Sequence, residues 1–269
     1  MEQLSSLGLI GGGQMGEALL RGLLQAKIIA PSRIAVAEPV PSRRRYLEET
    51  YGISSIIEPS GLCAKCSTII LAVKPQVMSE VLESYRGHIN AEHLVISIAA
   101  GVTLNDIEAV LGHDIPTVRV MPNTPALVLC GASAYSPNRT VSDEGRQRVK
   151  IILEAVGTCM ELPEEQLDAV TGLSGSGPGY VFTFIEAMID GGVRAGLTRD
   201  AATELTLQTF LGSARLAVES GEHPALLKGR VTSPGGTTIA GIQVLEEAGV
   251  RGAIMAAVTA ATNRSRQLS

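Results

Sequence analysis

Tryptophan is absent from this chain of 269 residues, and aromatic residues of all kinds make up only 3%. So few rings leave little to stack on nucleobases, and a formal charge of −5 offers no basic field for a phosphate backbone, which excludes nucleic-acid binding. Long apolar runs are missing as well: none reaches the roughly 18 to 20 residues of a membrane span. The four cysteines, Cys63, Cys66, Cys130 and Cys159, show no disulfide framework. Cys63-x-x-Cys66 has the spacing of half a zinc site or of a redox pair. No second pair and no histidine pair has ligand spacing, so no metal is expected and the pair reads as structural. An apolar strand pattern begins at Leu7, which leaves no room for a signal or transit peptide. Together these features predict a reducing, cytoplasmic setting.

What is present is a globular composition, 45% hydrophobic and 18% charged, with 29 glycines, in a chain long enough for one large or two ordinary domains. An apolar run, Leu7 to Ile10, meets the glycine-rich GGGQMG of Gly11 to Gly16. Apolar residues at Ala18, Leu19, Leu23 and Ala26 then follow the helical period, and Arg33 to Glu38 reads as a second strand. Further strands are predicted at SIIE (Ser55 to Glu58), Thr68 to Val73, Leu94 to Ile98, Pro116 to Met121 and Thr158 to Leu162. Helices lie between them, one of them opened by a Thr103/Asp106 capping box. Strands alternating with helices predict an α/β domain, a doubly wound, mostly parallel sheet over residues 1–162. From Pro163 onward strands disappear, so residues 163–269 are predicted to be all-α. Within them a loop, Gly172 to Gly179, precedes a helix of 18 or so residues, and Thr198 and Gly221 bound the next.

The first glycine cluster has the context that gives GxGxxG meaning. Gly11 permits a tight turn, Gly13 lets the backbone approach a pyrophosphate, and Gly16 allows close packing of helix on strand. The helix start beyond it presents unpaired N–H groups to phosphates. Glu38 ends the second strand where an acid binds the adenosine ribose diol. A glycine-rich turn that binds nothing is the alternative. The ends of two more strands, Ala72-Val73-Lys74-Pro75 and Ile98-Ala99-Ala100-Gly101, carry small residues against which a nicotinamide ring can lie. Lys74 there is either an anion contact or a solvated loop lysine, and Pro122-Asn123-Thr124-Pro125 is either a source of polar contacts or a plain turn. Far downstream, Ser233-Pro234-Gly235-Gly236-Thr237-Thr238 spends six positions on backbone amides and hydroxyls ahead of a helix, more than a turn needs.

These segments resemble one family closely, the pyrroline-5-carboxylate reductases, through nearly the whole chain. The resemblance rests on GGGQMGEA, AVKP, SIAAGVT, RVMPNTPA, DAVTGLSGSGPGYVF, GEHPALLK and above all SPGGTTIAGIQVLE. It implies reduction of a cyclic imine to L-proline with NADPH or NADH. It also implies a Rossmann-type domain followed by an all-α dimerisation domain, with an intertwined homodimer and assembly of dimers into larger rings such as decamers. Carried over residue by residue, it places Ile10, Gly11, Gly12, Gly13, Gln14, Met15 and Gly16, Ala72, Val73, Lys74 and Pro75, and Ile98, Ala99 and Ala100 at the cofactor, with Arg230 able to approach it. Glu164, Ser233, Gly236, Thr237 and Thr238 fall around the proline or pyrroline ligand. Glu38 stands where many relatives have a small or polar residue, which leaves the choice between NADH and NADPH open.

Chemically, the downstream stretch suits a substrate carrying a carboxylate beside a ring imine. Successive N–H groups at a helix start form an anion site without a buried Arg or Lys, and glycines at 235 and 236 remove the Cβ atoms that would hold a carboxylate away. The Thr238 hydroxyl is then placed to hydrogen-bond the ring nitrogen and relay a proton, and is the one residue assigned a catalytic role. The alternative is a stretch that merely caps a helix. Among other enzymes, a β-hydroxyacid-type dehydrogenase needs a catalytic lysine early in its helical domain, and Thr171 to Gly221 contains none. A non-catalytic dinucleotide sensor is the alternative of a different class.

Overall fold

The computed structural model describes residues 4–268. Contacts divide it into two compact units, one running through Ser176 and resuming from Ala260, the other Gly177–Thr259.

The first unit is built on an eight-stranded sheet. Its strands are β1 (Leu7–Ile10), β2 (Ile34–Ala37), β3 (Ser54–Ser55), β4 (Thr68–Leu71), β5 (Leu94–Ser97), β6 (Thr117–Met121), β7 (Gly131–Pro137) and β8 (Gly157–Glu161). They lie in the order β3-β2-β1-β4-β5-β6-β7-β8. Pairing is parallel from β3 to β6, antiparallel between β6 and β7, and parallel again between β7 and β8. Strands β1, β2, β4 and β5 are buried along their whole length, as continuous apolar runs covered by helices on both faces must be. The covering helices are α1 (Gln14–Gln25), α2 (Pro41–Tyr51), α3 (Pro59–Lys65), α4 (Met78–Tyr85), α5 (Leu104–Leu111) and α6 (Asp143–Glu154). They split the core into two clusters, one holding Leu9, Leu23, Val36, Ile70 and Ile152, the other Ile69, Leu71, Leu82, Val95 and Ile107.

Local chemistry sets the ends of these elements. Thr103 caps α5 through its hydroxyl while Asp106 reaches back to the Thr103 amide, completing the capping box. Gly52 ends α2 in the left-handed region at φ 66°. The third strand is Ser54–Ser55 alone, shorter than the SIIE reading and one residue earlier. Strand β7 is not among the sequence-based expectations: GASAYSP is small and polar, and its seat between β6, to which it runs antiparallel, and β8, to which it runs parallel, makes it a strand.

The chain then forms a 3₁₀ turn at Glu164–Gln166, a short helix α7 (Leu167–Val170) and a π-helical turn at Thr171–Gly175. The expected loop over Gly172 to Gly179 is therefore helical except at Ser176, which separates the π-helical turn from the next helix, and the compact unit extends 14 residues past the expected boundary at 162, to Ser176. The second unit holds α8 (Gly177–Arg194), α9 (Arg199–Ser220), α10 (Pro224–Arg230), α11 (Thr237–Glu247) and most of α12 (Val250–Arg266). Thr198 caps α9 by accepting from the Ala201 amide, and Gly221 closes it at φ 63°. Helix α12 carries the chain back, and the Ser265 hydroxyl donates to Asp168 Oδ1 at 2.6 Å within the first unit.

Gly22 on α1 shows how tightly the sheet unit is packed. A Cβ there would sit 2.6 Å from the Ala155 carbonyl oxygen and 2.6 Å from Val156 Cγ1, and backbone does not move aside cheaply. Helix propensity gained over glycine is about 1 kcal/mol at most, whereas overpacking costs about 1 to 3 kcal/mol and more for a branched side chain. Gly22→Val therefore lowers the urea midpoint at fixed protein concentration, with an unchanged denaturant slope.

Candidate active site

Order β3-β2-β1-β4-β5-β6 reverses direction between β1 and β4, and in such sheets ligands sit outside the carboxyl ends of the strands at that point. The glycine loop is there. Gly11 leaves β1 at φ 97° and donates its N–H to the Ala37 carbonyl, while the Ala72 amide donates to Ile10. A side chain at Gly11 would strike the Ala72 carbonyl at 2.8 Å, and one at Gly16 would strike the Gly11 carbonyl at 2.7 Å. Gly13 is different: it is exposed, nothing lies within 4 Å of where its Cβ would be, and it is the N-cap of α1 with no side chain capping the helix. The first turn of α1 thus opens its N–H groups onto a cradle that any residue other than glycine would begin to fill.

Glu38 borders the same cradle and is 7% exposed. Its Oε2 accepts from the Gly12 amide and its Oε1 from the Val40 amide, both at 2.8 Å. A carboxylate has about four acceptor positions, so two remain for hydroxyl groups. Next to it, Arg43 Nε donates to the Gly12 carbonyl at 2.6 Å, its guanidinium pairs with Glu17, and it lies 5.0 Å from the Tyr46 ring centroid. Arg44 donates to the Glu38 carbonyl at 3.2 Å. Of the three successive arginines at the start of α2, Arg43 and Arg44 are half-buried and Arg45 is exposed.

The ends of β4 and β5 complete this side. Ile98 donates its N–H to Leu71, and Ala99 is buried, whereas Lys74 and Pro75 are exposed, Lys74 as the N-cap of a 3₁₀ turn. Pro75 and Ala100 line a cavity of about 540 Å³ together with Gly101, Thr171, Ser176 and Arg264. Thr171 opens the π-helical turn and Ser176 follows directly after it, and such a distortion recurs at functional sites. Asn123, from the PNTP segment, holds that turn: its amide donates to the Ser174 carbonyl at 3.1 Å, and its oxygen accepts from the Ala132 amide at 2.8 Å. Arg264 carries no signal in the sequence, because it reaches the strand ends only through tertiary packing, and the π-helical turn lies in DAVTGLSGSGPGYVF, where glycine and serine read as a loop.

Glu164 is in the first unit and is engaged there. It accepts from the Leu104 amide at 2.8 Å and from Arg119 at 3.1 Å, where Arg119 is 6% exposed. Arg230 and the stretch Ser233 to Thr238 are in the second unit. Gly236 donates to the Ser233 carbonyl at 3.0 Å across Pro234 and Gly235, and Gly235 has φ 67°. Pro followed by a positive-φ glycine is the signature of a type II turn. Gly236 then starts α11 as its N-cap, again with no side-chain cap, and Ser233 Oγ sits 2.2 Å from where a Cβ on Gly236 would be. Ser233, Thr237 and Thr238 are exposed. Arg230 pairs with Glu222 at 2.7 Å.

The CxxC pair belongs to a different region. Cys63 and Cys66 are buried free thiols, and His93 Nε2 meets the Cys63 carbonyl at 3.0 Å. Burial and the neighbouring Cys66 push the Cys63 thiol up to about 11, which keeps it protonated at neutral pH.

A glycine loop at the switch point of a parallel sheet, followed by a wholly helical unit, defines the class of Rossmann-type dinucleotide-dependent oxidoreductases. Residues 6–101 match the family described as NADP oxidoreductase, coenzyme F420-dependent, and residues 164–268 match that described as pyrroline-5-carboxylate reductase dimerisation. The chain is 50% identical over 262 residues to a pyrroline-5-carboxylate reductase of Synechocystis, covering 97% of each. Among solved structures it superposes on a pyrroline-5-carboxylate reductase from Coxiella burnetii with TM-score 0.94 at 36% identity, covering 100% of this chain and 99% of that one. It superposes on the NADP-bound pyrroline carboxylate reductase of Plasmodium falciparum with TM-score 0.88 at 34% identity, over 100% and 99%. The chain belongs to the pyrroline-5-carboxylate reductase family.

Asn123→Ala removes the side-chain partner of the half-buried Ala132 amide and Ser174 carbonyl, at about 0.5 to 1.5 kcal/mol per lost hydrogen bond. The expected outcome is a lower denaturant midpoint together with faster amide hydrogen exchange across residues 171–176, where the π-helical turn loses its tether.

Proposed function

We propose that the chain reduces the cyclic imine pyrroline-5-carboxylate to L-proline with NADH or NADPH, the last step of proline synthesis. The observation that carries this reading is a pair of uncapped glycine N-caps, Gly13 on α1 and Gly236 on α11, in one chain of this family. Each opens a helix onto an anion with backbone donors alone. The residues around Gly13 fit a dinucleotide: the open cradle takes the pyrophosphate, the spare acceptor positions of Glu38 take the ribose hydroxyls, and Ala72 to Pro75 with Ile98 to Ala100 flank the nicotinamide. Bound NAD(P)H supplies the hydride.

The chain's own part is to hold and orient the imine. The Ser233–Gly236 turn and the first amides of α11 hold the substrate carboxylate, where glycine permits close approach. The Thr238 hydroxyl hydrogen-bonds the ring nitrogen, keeps the imine in its protonated, electrophilic form, and directs its carbon toward the hydride donor. Thr237 and Glu164 complete the polar surroundings, and Arg230 meets the cofactor. No strong nucleophile is needed, since the protonated imine carbon accepts the hydride directly and the nitrogen keeps its proton as the amine forms. With a carboxylate at 38, NADH is used at least as well as NADPH, because a 2′-phosphate about 4 Å from a carboxylate costs on the order of 1 to 4 kcal/mol.

The working form in this proposal is a homodimer, with dimers assembling further into a decamer. Phe182, Leu205, Leu211, Val218 and Val244 of the helical unit are each more than half exposed in the single chain. Burying side chains of this kind yields about 1.5 to 3 kcal/mol apiece. A cytoplasmic location belongs to the same reading and is in keeping with four free cysteines.

Addition of pyrroline-5-carboxylate to the purified protein with NADH or NADPH is expected to consume the coenzyme; no turnover with either refutes the proposal. Thr238→Ala is expected to lower kcat/KM by about 5- to 150-fold, the value of one hydrogen bond of about 1 to 3 kcal/mol, while NAD(P)H binding stays close to wild type. In sedimentation at working concentration the active species is a dimer or larger. A stable, active monomer overturns that part.

A further inference from the structure

Arg43 has its charge matched before any ligand arrives. Glu17, in the first turn of α1, gathers three donors: Arg43 on Oε2, and the hydroxyls of Tyr46 at 3.0 Å and Tyr51 at 2.6 Å on Oε1. The same guanidinium is fixed to the glycine loop through the 2.6 Å bond from Nε to the Gly12 carbonyl, and Gly12 in turn donates to Glu38. Arg43, Gly12 and Glu38 are thus joined at the ribose end of the cradle, with Glu17 behind them. Arg44, a second cation beside it, hydrogen-bonds among the described residues to the neutral Glu38 carbonyl and to no carboxylate.

We propose that Glu17 is a coenzyme-selecting residue that acts through Arg43, holding its guanidinium against the loop and keeping it from meeting the 2′-phosphate of NADPH. The inference rests on the dinucleotide reading given above and deepens it. In that reading Glu38 repels the 2′-phosphate directly, and Glu17 removes the cation that would offset the repulsion. The two carboxylates work on opposite sides of one loop. Planar geometry suits Arg43 to the second role, since a guanidinium already committed to a carboxylate and a carbonyl has few donors left for a phosphate. Burial pushes the Glu17 carboxyl up, but the hydrogen bonds from Tyr51, Arg43 and Tyr46 outweigh it and hold the group below the usual carboxylate range, so it is charged at neutral pH. Glu17 is a positioning residue on this account.

Glu17→Gln is the informative substitution, because an amide keeps the shape and still accepts from both tyrosines while losing the charge that fixes Arg43. The measurement is the dissociation constant of NADH and of NADPH by fluorescence titration of the purified protein, beside kcat/KM with pyrroline-5-carboxylate. Glu17→Gln is expected to shift the NADPH-to-NADH ratio toward NADPH by about 5- to 30-fold in both readouts, a charge-assisted bond discounted for solvent screening. Glu38→Ser shifts the ratio the same way. Adding Arg43→Ala to Glu17→Gln abolishes the shift, whereas adding Arg44→Ala leaves it in place. In the otherwise wild-type chain, Arg43→Ala moves the ratio less than about twofold, as a screened, already paired charge should; this arm stands even if Glu17→Gln does not fold. A selective loss of NADPH binding in that single variant, an unmoved ratio in Glu17→Gln, or a shift that depends on Arg44 instead overturns the inference. A wild-type protein that binds neither coenzyme overturns the dinucleotide reading itself, whereas binding of both with an unmoved ratio overturns only the role of Glu17.

Discussion

The buried Glu38 carboxylate, gripped by the amides of Gly12 and Val40, joins the glycine loop to the end of the second strand. Much of the N-terminal geometry depends on that contact. It fixes the middle of the loop, leaves Gly13 projecting as the bare start of α1, and sets the carbonyl of Gly12 where Arg43 reaches it. A polar group withdrawn from water must find partners, and here the partners are the backbone atoms that shape the cradle. One side chain is both part of the scaffold and a wall of the site.

The two units solve opposite packing problems. The sheet unit buries four of its strands completely and seals both faces with helices. In the helical unit, α8, α10 and α11 contain no buried residue. A helix apolar over much of its surface needs neighbours on several sides, and the residues from Phe182 to Val244 have too few within their own unit. Membership of a family whose C-terminal region is described by dimerisation gives those exposed faces a purpose.

Where periodicity and punctuation coincide, the sequence was easy to read. The β1–loop–α1–β2 unit, the capping box at Thr103 and the Thr198-to-Gly221 helix all combine an apolar pattern with a residue that chemistry requires at the end. Strand β7 escaped because GASAYSP has no alternation and is made a strand by its neighbours. The π-helical turn escaped because glycine and serine signal a loop, and only the hydrogen bonds from Asn123 and the i−4 contacts of Thr171 and Ser174 draw them into a helix. Within the candidate site, positions set by glycine were legible one by one. The Glu17–Arg43 pair was not: its members lie 26 residues apart on different helices, and nothing in either helix alone marks them as partners.

Helix α12 begins in the helical unit and ends in the sheet unit, where Ser265 bonds Asp168 and the Leu268 carbonyl lies against Gly101. In topological terms the helical unit is an insertion with two seams, after Ser176 and before Ala260, rather than an appendage hung from one. Cutting the chain at either 162 or 176 would not release an intact dinucleotide domain, since it would strip Arg264 and Leu268 from the cavity at the strand ends. A separable version would have to splice Ser176 directly to the last turns of α12. The wall beside the proposed nicotinamide position is thus supplied by residues that follow the insertion in the chain, so this wall is completed only after every helix of the insertion has been made.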